Sequence, residues 1–270
     1  MEASGTVVAV DAVRWRDLLH DVASAVVDRV GPLDGRALLA AGERRGQYHL
    51  DLMADRVVLD HLAGTGARVL SEEAGLVGPR GGQGDDLSDA AGLTVVVDPV
   101  DGSTNLSRRV PHAACSLCVV DAAGPWVAVV ADISTGERFD AVRGAGARVD
   151  GRPLAGPTKC TELGAALVGL AGWPGRALPW SQFRVLGAAA LDLCYVADGR
   201  FDAYADGGRN HGVWDYLAAL LVLWESGAAV GERAGEELIV LDHAARRGPV
   251  AAATPELLDS LMAALAGSET

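Results

Sequence analysis

The stretch VVVDPVDGSTNL, residues 95–106, joins an apolar run to a turn that carries two carboxylates. Three valines lead directly to Asp98, Pro99 restricts the backbone, and Asp101 follows three residues after the first acid. Strand ends are where α/β folds place their chemistry. The pattern predicts a buried strand whose carboxyl end holds Asp98 rigidly, with a turn that brings Asp101 back toward the same point.

The residues that follow Asp101 favour binding of an anion. Gly102 lets the backbone approach a ligand closely, and Ser103 or Thr104 can cap a short helix. The free N–H groups at a helix start bind phosphate, and carboxylate oxygens together with phosphate oxygens are ligands that Mg²⁺ prefers. The alternative is an ordinary acidic turn, because D-P-x-D-G is good turn chemistry alone.

Composition limits the classes of function. The chain has 270 residues, half of them hydrophobic, which suits one large domain or two closely packed ones. Its net charge of −13 argues against non-specific binding to nucleic acid or to an anionic membrane. No stretch is typical of a signal peptide or a membrane span, so we expect a cytoplasmic protein.

Hydrophobic periodicity predicts helices over 10–30 and 36–62, then a short strand that runs into Glu72, then a Gly- and Asp-rich loop over 78–91. An antiparallel sheet is predicted for the middle of the chain, in the segments LTVVVD, CSLCVVD, WVAVVADIS, RFDAVR and ARVDG. After residue 153, strand-like and helix-like segments alternate. We therefore expect two halves, 1–153 and 154–270, that form one compact unit.

The C-x-x-C formed by Cys115 and Cys118 is a candidate for zinc or thiol chemistry. Residues three apart on a strand point to opposite faces, and no second C-x-x-C completes a zinc site. We interpret both cysteines as structural.

Two further stretches present acids. Glu72 and Glu73 follow a predicted strand, where a solvated surface turn is the simpler explanation. Asp215 opens an apolar helix, where the helix dipole by itself favours a carboxylate. Each stretch is ordinary when it is taken singly.

Together the three stretches form a pattern. SEE (71–73), DPVDGSTN (98–105) and WDYLAALLVLWESGA (214–228) resemble, in order and spacing, the motifs of the inositol monophosphatase family of Mg²⁺-dependent, lithium-sensitive phosphomonoesterases. The resemblance covers nearly the whole chain, and its middle motif is the most specific. It implies a mixed α+β or α/β fold, the layered αβαβα sandwich of this family.

The resemblance also implies a ligand set for two or three Mg²⁺ ions, with Mn²⁺ as a possible substitute. The implied metal ligands are Glu72, Asp98, the carbonyl of Val100, Asp101 and Asp215. Four gathered carboxylates would repel one another strongly without cations between them.

The implied mechanism is direct attack of a metal-activated water on phosphorus, without a phosphoenzyme. Glu72, Ser103 and Asp55 are the implied catalytic residues; Ser103 stands at the position of the family's water-orienting hydroxyl, and Asp55 best matches the upstream acid. The family's upstream threonine is replaced by Leu52. Gly102, Ser103 and Thr104 are the implied phosphate-binding residues.

Substrate contacts are implied at Gly187, Ala188 and Ala189, where Ala188 replaces the family's hydroxyl residue. Asp206 is the assigned acidic contact, although strict counting points to Gly208. His211 is interpreted as a surface-loop residue rather than a substrate contact, and Arg108 and Arg109 as solvated charges unless they meet a second anionic group.

We therefore expect Mg²⁺-dependent hydrolysis of a small phosphorylated metabolite, with inositol monophosphate as the first candidate. Histidinol phosphate, fructose 1,6-bisphosphate, 3′-phosphoadenosine 5′-phosphate and other sugar or cyclitol phosphates are alternatives. A catalytically inactive relative that acts as a binding protein is a further alternative. The family often forms dimers, so a homodimer is expected, without nucleic-acid or membrane partners.

Overall fold

The computed structural model describes residues 3–44, 46–79 and 92–266, so the predicted loop at 78–91 lies outside the described residues from position 80 onward. The helices in these ranges are α1 Ala3–Val30, α2 Gly35–Leu38, α3 His49–Leu62, α4 Ser103–Ser107, α5 Ala189–Ala197, α6 Leu217–Ser226 and α7 Pro255–Ala266. The strands are β1 Arg68–Ser71, β2 Gly75–Val77, β3 Thr94–Asp101, β4 Ala114–Asp121, β5 Gly124–Asp132, β6 Arg138–Val142, β7 Gly146–Val149, β8 Arg152–Pro153, β9 Leu167–Ala171, β10 Gln182–Arg184, β11 Ala203–Asp206, β12 Ala229–Glu232 and β13 Pro249–Ala252. Short 3₁₀ turns cover Leu163–Ala165 and Val213–Asp215.

The predicted continuous helix over 36–62 is wrong, because the chain breaks it into α2 and α3. Between them, Ala41 and Tyr48 form an antiparallel bridge, and the Gly42 amide donates to the carbonyl of Gln47 at 2.8 Å. Helix α3 then restarts with a capping box in which the Asp51 carboxylate accepts from the Tyr48 amide. The break places the start of α3, and therefore Asp51, next to the end of β3.

Eight strands form the larger sheet, in the order β2-β1-β3-β4-β5-β6-β7-β8. Its pairs are antiparallel except for β1 and β3, which run parallel with Ser71 opposite Val97. Parallel strands end at the same edge of a sheet, so the residues after Ser71 and after Val97 emerge side by side. This register brings Glu72 next to Asp98.

Five strands form the smaller sheet, in the order β10-β9-β11-β13-β12. Strand β9 pairs parallel with both β10 and β11, whereas β13 pairs antiparallel with β11 and β12. All strands of the larger sheet lie within 68–153 and those of the smaller sheet within 167–252. The larger sheet therefore ends at residue 153, after which the sequence predicts alternating strand-like and helix-like segments.

Helices and sheets alternate as five layers, which confirms the predicted αβαβα fold class. Helices α1 and α3 cover one face of the larger sheet, α5 and α6 fill the space between the sheets, and α7 covers the outer face of the smaller sheet. Cys115 and Cys118 belong to cores on opposite faces of β4, as predicted, and both are free thiols. None of the helices in the described ranges combines the length and the hydrophobicity that a membrane span requires.

Candidate functional site

The end of β3 is distorted where the two acids of the central motif lie. All eight residues of β3 are buried, and its pairing with β4 shifts register between Asp98 and Asp101. The Val100 amide donates to Asp98 Oδ1 at 2.9 Å. A bulge of this kind redirects side chains at the edge of a sheet. On a regular strand, residues three apart point to opposite faces of the sheet. The bulge between Asp98 and Asp101 allows both side chains to serve one site.

The turn after Asp101 requires glycine. Gly102 adopts φ +85°, and a Cβ atom there would lie 2.9 Å from the carbonyl oxygen of Gly187 and 3.0 Å from that of His112. Most residues pay a steric penalty at this φ, and the two carbonyls leave no room for a side chain. The turn therefore packs directly on the segment at 187, and α4 begins at its end.

Asn105 and Asp101 attach this turn to the start of α5. Asn105 Nδ2 donates to the carbonyl oxygens of His112, at 2.8 Å, and Leu186, at 2.7 Å. Asp101 Oδ2 accepts from the Ala190 amide at 2.7 Å. The structure thus brings the predicted substrate segment 187–189 beside the Gly102 turn. The contact of that segment with substrate stays a prediction.

Three carboxylates from three separate segments converge. One oxygen each from Glu72, Asp98 and Asp215 lies within 4.8 Å of the others. Glu72 follows β1, Asp98 lies near the end of β3, and Asp215 closes the 3₁₀ turn at Val213–Asp215. Asp101 is the fourth predicted carboxylate, and its charge adds to the field at Glu72. An all-oxygen set at this spacing fits a hard divalent cation.

Burial makes this cluster unfavourable when all of its members are charged. Desolvation, followed by the charges of Asp215 and Glu73, raises the pKa of Glu72 to about 8. Desolvation and the Asp215 charge raise the pKa of Asp101 to about 7, and burial raises that of Asp98 well above its ordinary value. Divalent cations would relieve the same repulsion that otherwise holds protons on these groups.

Asp215 is held by a hydrogen-bond network that the sequence did not indicate. Its Oδ2 accepts from the Gly212 amide at 2.9 Å and from His211 Nδ1 at 3.0 Å. His211 Nε2 lies 2.8 Å from the hydroxyl of Tyr204, which is fully buried. Burial is the largest single effect on the pKa of His211 and lowers it, but the hydrogen bond with Asp215 and the charges of Asp215, Asp206 and Asp101 together raise the net pKa. The interpretation of His211 as a surface-loop residue is wrong, because the buried phenol and the carboxylate draw the imidazole inward.

The structure does not bring Asp55 to Ser103. The Asp55 carboxylate accepts from the Ser71 hydroxyl. Asp51, one helical turn earlier, lies beside Ser103, whose side chain lowers the pKa of that acid. Residues four apart share a helix face, so sequence spacing alone could not choose between the two acids.

Asp206 is directed into its own loop. The residue is 2% exposed, and its two carboxylate oxygens accept from the amides of Gly208, at 2.7 Å, and Asn210, at 3.0 Å. The geometry therefore gives Asp206 a role in holding the loop and does not place it on the cleft described next. Thr104, by contrast, is exposed on α4.

A cleft of about 340 Å³ reaches the carboxylate cluster at Glu72, which is among its lining residues. Its lining combines acids and the Ser103 hydroxyl with an imidazole, an indole and two arginines. The two arginines are exposed, and we call the sides of the cleft that they form its walls. The lining residues are Arg44, Gly46, Gln47, Asp51, Glu72, Glu73, Ser103, Trp214, His243 and Arg246. His243 and Arg246 were not singled out from the sequence, since they lie in an irregular segment without periodicity or a motif.

The layered fold and the converging carboxylates define the class of protein: an αβαβα protein with an acidic, cation-type site beside a glycine turn. A family model described as the inositol monophosphatase family matches residues 48–269, and the chain belongs to that family. Members of the family are phosphatases and are generally metal-dependent.

Similar proteins agree with this membership. The chain is 29% identical to a fructose-1,6-bisphosphatase/inositol-1-monophosphatase of Methanothermobacter thermautotrophicus, over 94% of this chain and 98% of the relative. It is 31% identical to the Nus factor SuhB of Escherichia coli, over 80% of each chain. Among solved structures, SuhB of Mycobacterium tuberculosis aligns with a TM-score of 0.72 and 29% identity over 97% of each chain. A Pyrococcus horikoshii protein described as similar to inositol-1 monophosphatase aligns with a TM-score of 0.82 at 23% identity, over 94% of this chain and 98% of its own, which supports the fold.

Proposed function

We propose that the protein hydrolyses a small phosphate monoester in a Mg²⁺-dependent reaction, with inositol monophosphate as the first candidate substrate. The observation that carries the proposal is the convergence of Glu72, Asp98 and Asp215 within 4.8 Å beside the Gly102 turn. The all-carboxylate donor set fits two or three Mg²⁺ ions, or Mn²⁺, with Asp101 and the Val100 carbonyl as further ligands. When bound, the cations would polarise the phosphoryl group and lower the pKa of the attacking water.

The protein's own residues bind and orient the reactants. The first N–H groups of a helix have no partner inside it, and α4 begins at Ser103. We propose that these groups and the Gly102 amide bind the phosphate oxygens. The Ser103 hydroxyl, with Asp51 beside it, orients the water. Attack by the water forms one P–O bond as the bond to the leaving alcohol breaks; the water gives up one proton and the leaving oxygen takes one up. We assign the upstream acid to Asp51 rather than to Asp55.

The test is release of inorganic phosphate with Mg²⁺ present, screened across inositol 1-phosphate, histidinol phosphate, fructose 1,6-bisphosphate and 3′-phosphoadenosine 5′-phosphate. Asp98→Asn should lower turnover of the best ester by at least about 10³-fold, the scale seen when a central electrostatic group is removed. Asp259→Asn, an exposed acid on α7, is the matched control and should leave turnover unchanged. Full turnover by the Asp98 variant would reject the proposal. Inhibition by lithium is also expected.

A second function is suggested by the relatives named Nus factor SuhB, which match 80% of this chain. The second candidate function is therefore a binding role, which would accompany catalysis or replace it. Clustered buried acids without a cation are unfavourable, which favours a metal-dependent role. Absence of both phosphate release and Mg²⁺ binding in a calorimetric titration would support the binding role instead.

The homodimer expected from the sequence has a candidate surface. Strand β10 is the edge of the smaller sheet, and Trp173, Phe183 and Val185 near it are 53%, 41% and 55% exposed. Exposed aromatic side chains beside an unpaired strand edge are typical of interaction sites. We propose that a second copy covers this surface. Sedimentation of the wild type and of Phe183→Ser tests it, and a wild-type monomer at micromolar concentration would contradict it.

A further inference from the structure

The lining of the cleft combines acidic side chains with positive charge. Arg44 and Arg246 are the two arginines among the residues that line it, and they stand on different segments, before α3 and before β13. Arg108 and Arg109, the arginines that the sequence offered for a second anionic group, are not among the lining residues. The question is whether either wall arginine is available to a ligand.

Arg44 is already neutralised. Its Nη2 atom lies 2.6 Å from Glu73 Oε2 and donates to the Glu73 carbonyl at 2.9 Å. Gln47 Nε2 also donates to the same Glu73 carboxylate. This ion pair fixes one wall of the cleft and leaves Arg44 little charge to offer a ligand.

Arg246 is exposed and held in place without an acidic partner. Its Nη1 donates to the carbonyls of His243, at 2.9 Å, and Ala245, at 2.8 Å, and its Cζ lies 5.2 Å from the centre of the Trp214 ring. His243 in turn lies 4.6 Å from that ring and donates from Nε2 to the Glu72 carbonyl at 2.9 Å. Among the described residues no carboxylate pairs with Arg246, and its Nε and Nη2 atoms make no hydrogen bond.

These contacts hold the Arg246 guanidinium at the wall of the cleft. They run from Arg246 to His243 and from His243 to the carbonyl of Glu72. Two carbonyls and an indole restrict the side chain, so little conformational entropy is lost when a ligand binds it. The remaining N–H groups form the planar donor fork that matches phosphate or carboxylate. A polyol that carries a single phosphate has no charge to offer this fork.

We propose that Arg246 is a specificity-determining residue, which binds a second anionic group of the ester while the first phosphate lies on the carboxylate cluster. The proposal rests on the proposed phosphatase function and refines its substrate class: it favours phosphate esters with a further phosphate or carboxylate over inositol monophosphate, which family membership alone made the first candidate. Arg246 contacts His243, and His243 donates to the carbonyl of Glu72, whose carboxylate we propose as a metal ligand. The proposed second anion site is therefore connected to the proposed metal site.

The test compares matched esters. Fructose 1,6-bisphosphate is paired with fructose 1-phosphate, and 2-phosphoglycerate with glycerol 2-phosphate, so that each pair differs in one anionic group, a phosphate in the first and a carboxylate in the second. The readout is the ratio of kcat/KM within each pair for the wild type and for Arg246→Gln, Arg246→Lys and Arg247→Gln. Arg247 is the matched control because it is not among the residues that line the cleft and its Nε donates to the carbonyl of Glu237.

The wild type should prefer the ester with the second anionic group in at least one pair. Arg246→Gln should reduce that preference by roughly 10- to 100-fold, the range expected when a charge-assisted hydrogen bond is lost. Arg246→Lys should retain part of it, and Arg247→Gln should not change it. A wild type without preference in either pair, or a preference that survives in Arg246→Gln, would overturn the proposal. A lower kcat for all esters by one common factor would also overturn it, since that result marks a purely structural contact.

Failure of the phosphatase proposal gives a different result. If the wild type releases phosphate from none of the esters, calorimetric binding of the same pairs in the presence of Ca²⁺, which takes the same oxygen ligands, replaces kinetics as the readout. Tighter wild-type binding of the doubly anionic ester, lost in Arg246→Gln, would support the role of Arg246 without turnover. Equal binding within both pairs would reject it.

Discussion

Asp51 is a buried acid whose ionisation the fold opposes. It lies in the first turn of α3, is 5% exposed, and has one oxygen, Oδ1, without a hydrogen-bond partner among the described residues. The pKa of Asp51 is raised to about 7, chiefly by burial and in smaller part by the Glu73 charge, against the lowering effects of the Tyr48 amide and Ser103. Asp51→Asn keeps an acceptor for the Tyr48 amide and removes the charge. We predict that this variant stabilises the metal-free protein at pH 8.

The sign and size follow from linkage. A carboxyl group with a pKa of 3.8 in the unfolded chain and about 7 in the folded one binds its proton more tightly when folded. The stability of the wild type therefore falls as the pH rises from about 4 to 7, and the loss is complete above pH 7. With about 1.4 kcal/mol for each pH unit, the cost at pH 8 is at most about 4 kcal/mol, and we expect about 2–4 kcal/mol. At pH 4.5 the cost is about 1 kcal/mol.

The assay is thermal unfolding in a chelator at pH 4.5 and pH 8. Asn at position 51 should raise Tm by about 5–15 °C at pH 8, since about 1 kcal/mol corresponds to about 2–4 °C for a chain of this size, and by much less at pH 4.5. Asp60→Asn, on the exposed face of the same helix and paired with Arg56, should show no such growth with pH. An equal gain at both values of pH, or a loss at pH 8, would refute the reasoning.

Three further predictions concern the turn, the cluster and its support. Gly102→Ala should destabilise the protein by about 1–3 kcal/mol in urea unfolding and lower phosphate release, because the new Cβ would lie 2.9 Å from a carbonyl oxygen at φ +85°; wild-type stability would contradict this. Mg²⁺ at about 100 times its Kd should stabilise the wild type by about 2.7 kcal/mol at pH 8 and should not stabilise Asp98→Asn, and equal shifts in thermal unfolding of the two proteins would exclude Asp98 as a ligand. His211→Leu should weaken Mg²⁺ binding by about 10- to 100-fold in calorimetry, with partial recovery in His211→Asn, because the imidazole holds Asp215 Oδ2; unchanged affinity would show that the Gly212 amide suffices.

Local pattern predicted much of this molecule. Periodicity and turn chemistry act over a few residues, so they predicted the buried strand that ends near Asp98 and the end of α1 before Gly31-Pro32. They also predicted the antiparallel strands in the middle of the chain. The opposite orientation of Cys115 and Cys118 follows in the same way from the alternation of a strand.

Choices between neighbouring groups could not be made from local pattern. Asp51 and Asp55 occupy one helix face, and only the packing of α3 beside β3 places Asp51 at Ser103. Asp206 was assigned to substrate by proximity to a motif, yet its oxygens are bonded within its own loop.

The sequence by itself determined the acids, the glycine turn and the alternation of elements, because each depends on the residue types and on neighbours a few positions away. Only the tertiary structure decided which distant groups meet: the parallel pairing of β1 with β3 brings Glu72 to Asp98, and the buried Tyr204 orients His211 onto Asp215. It also placed Arg246 on the cleft wall, through contacts with Trp214 and two carbonyls. The physical reason is that these meetings depend on how sheets, helices and irregular segments pack across more than a hundred residues of chain, where no sequence period acts.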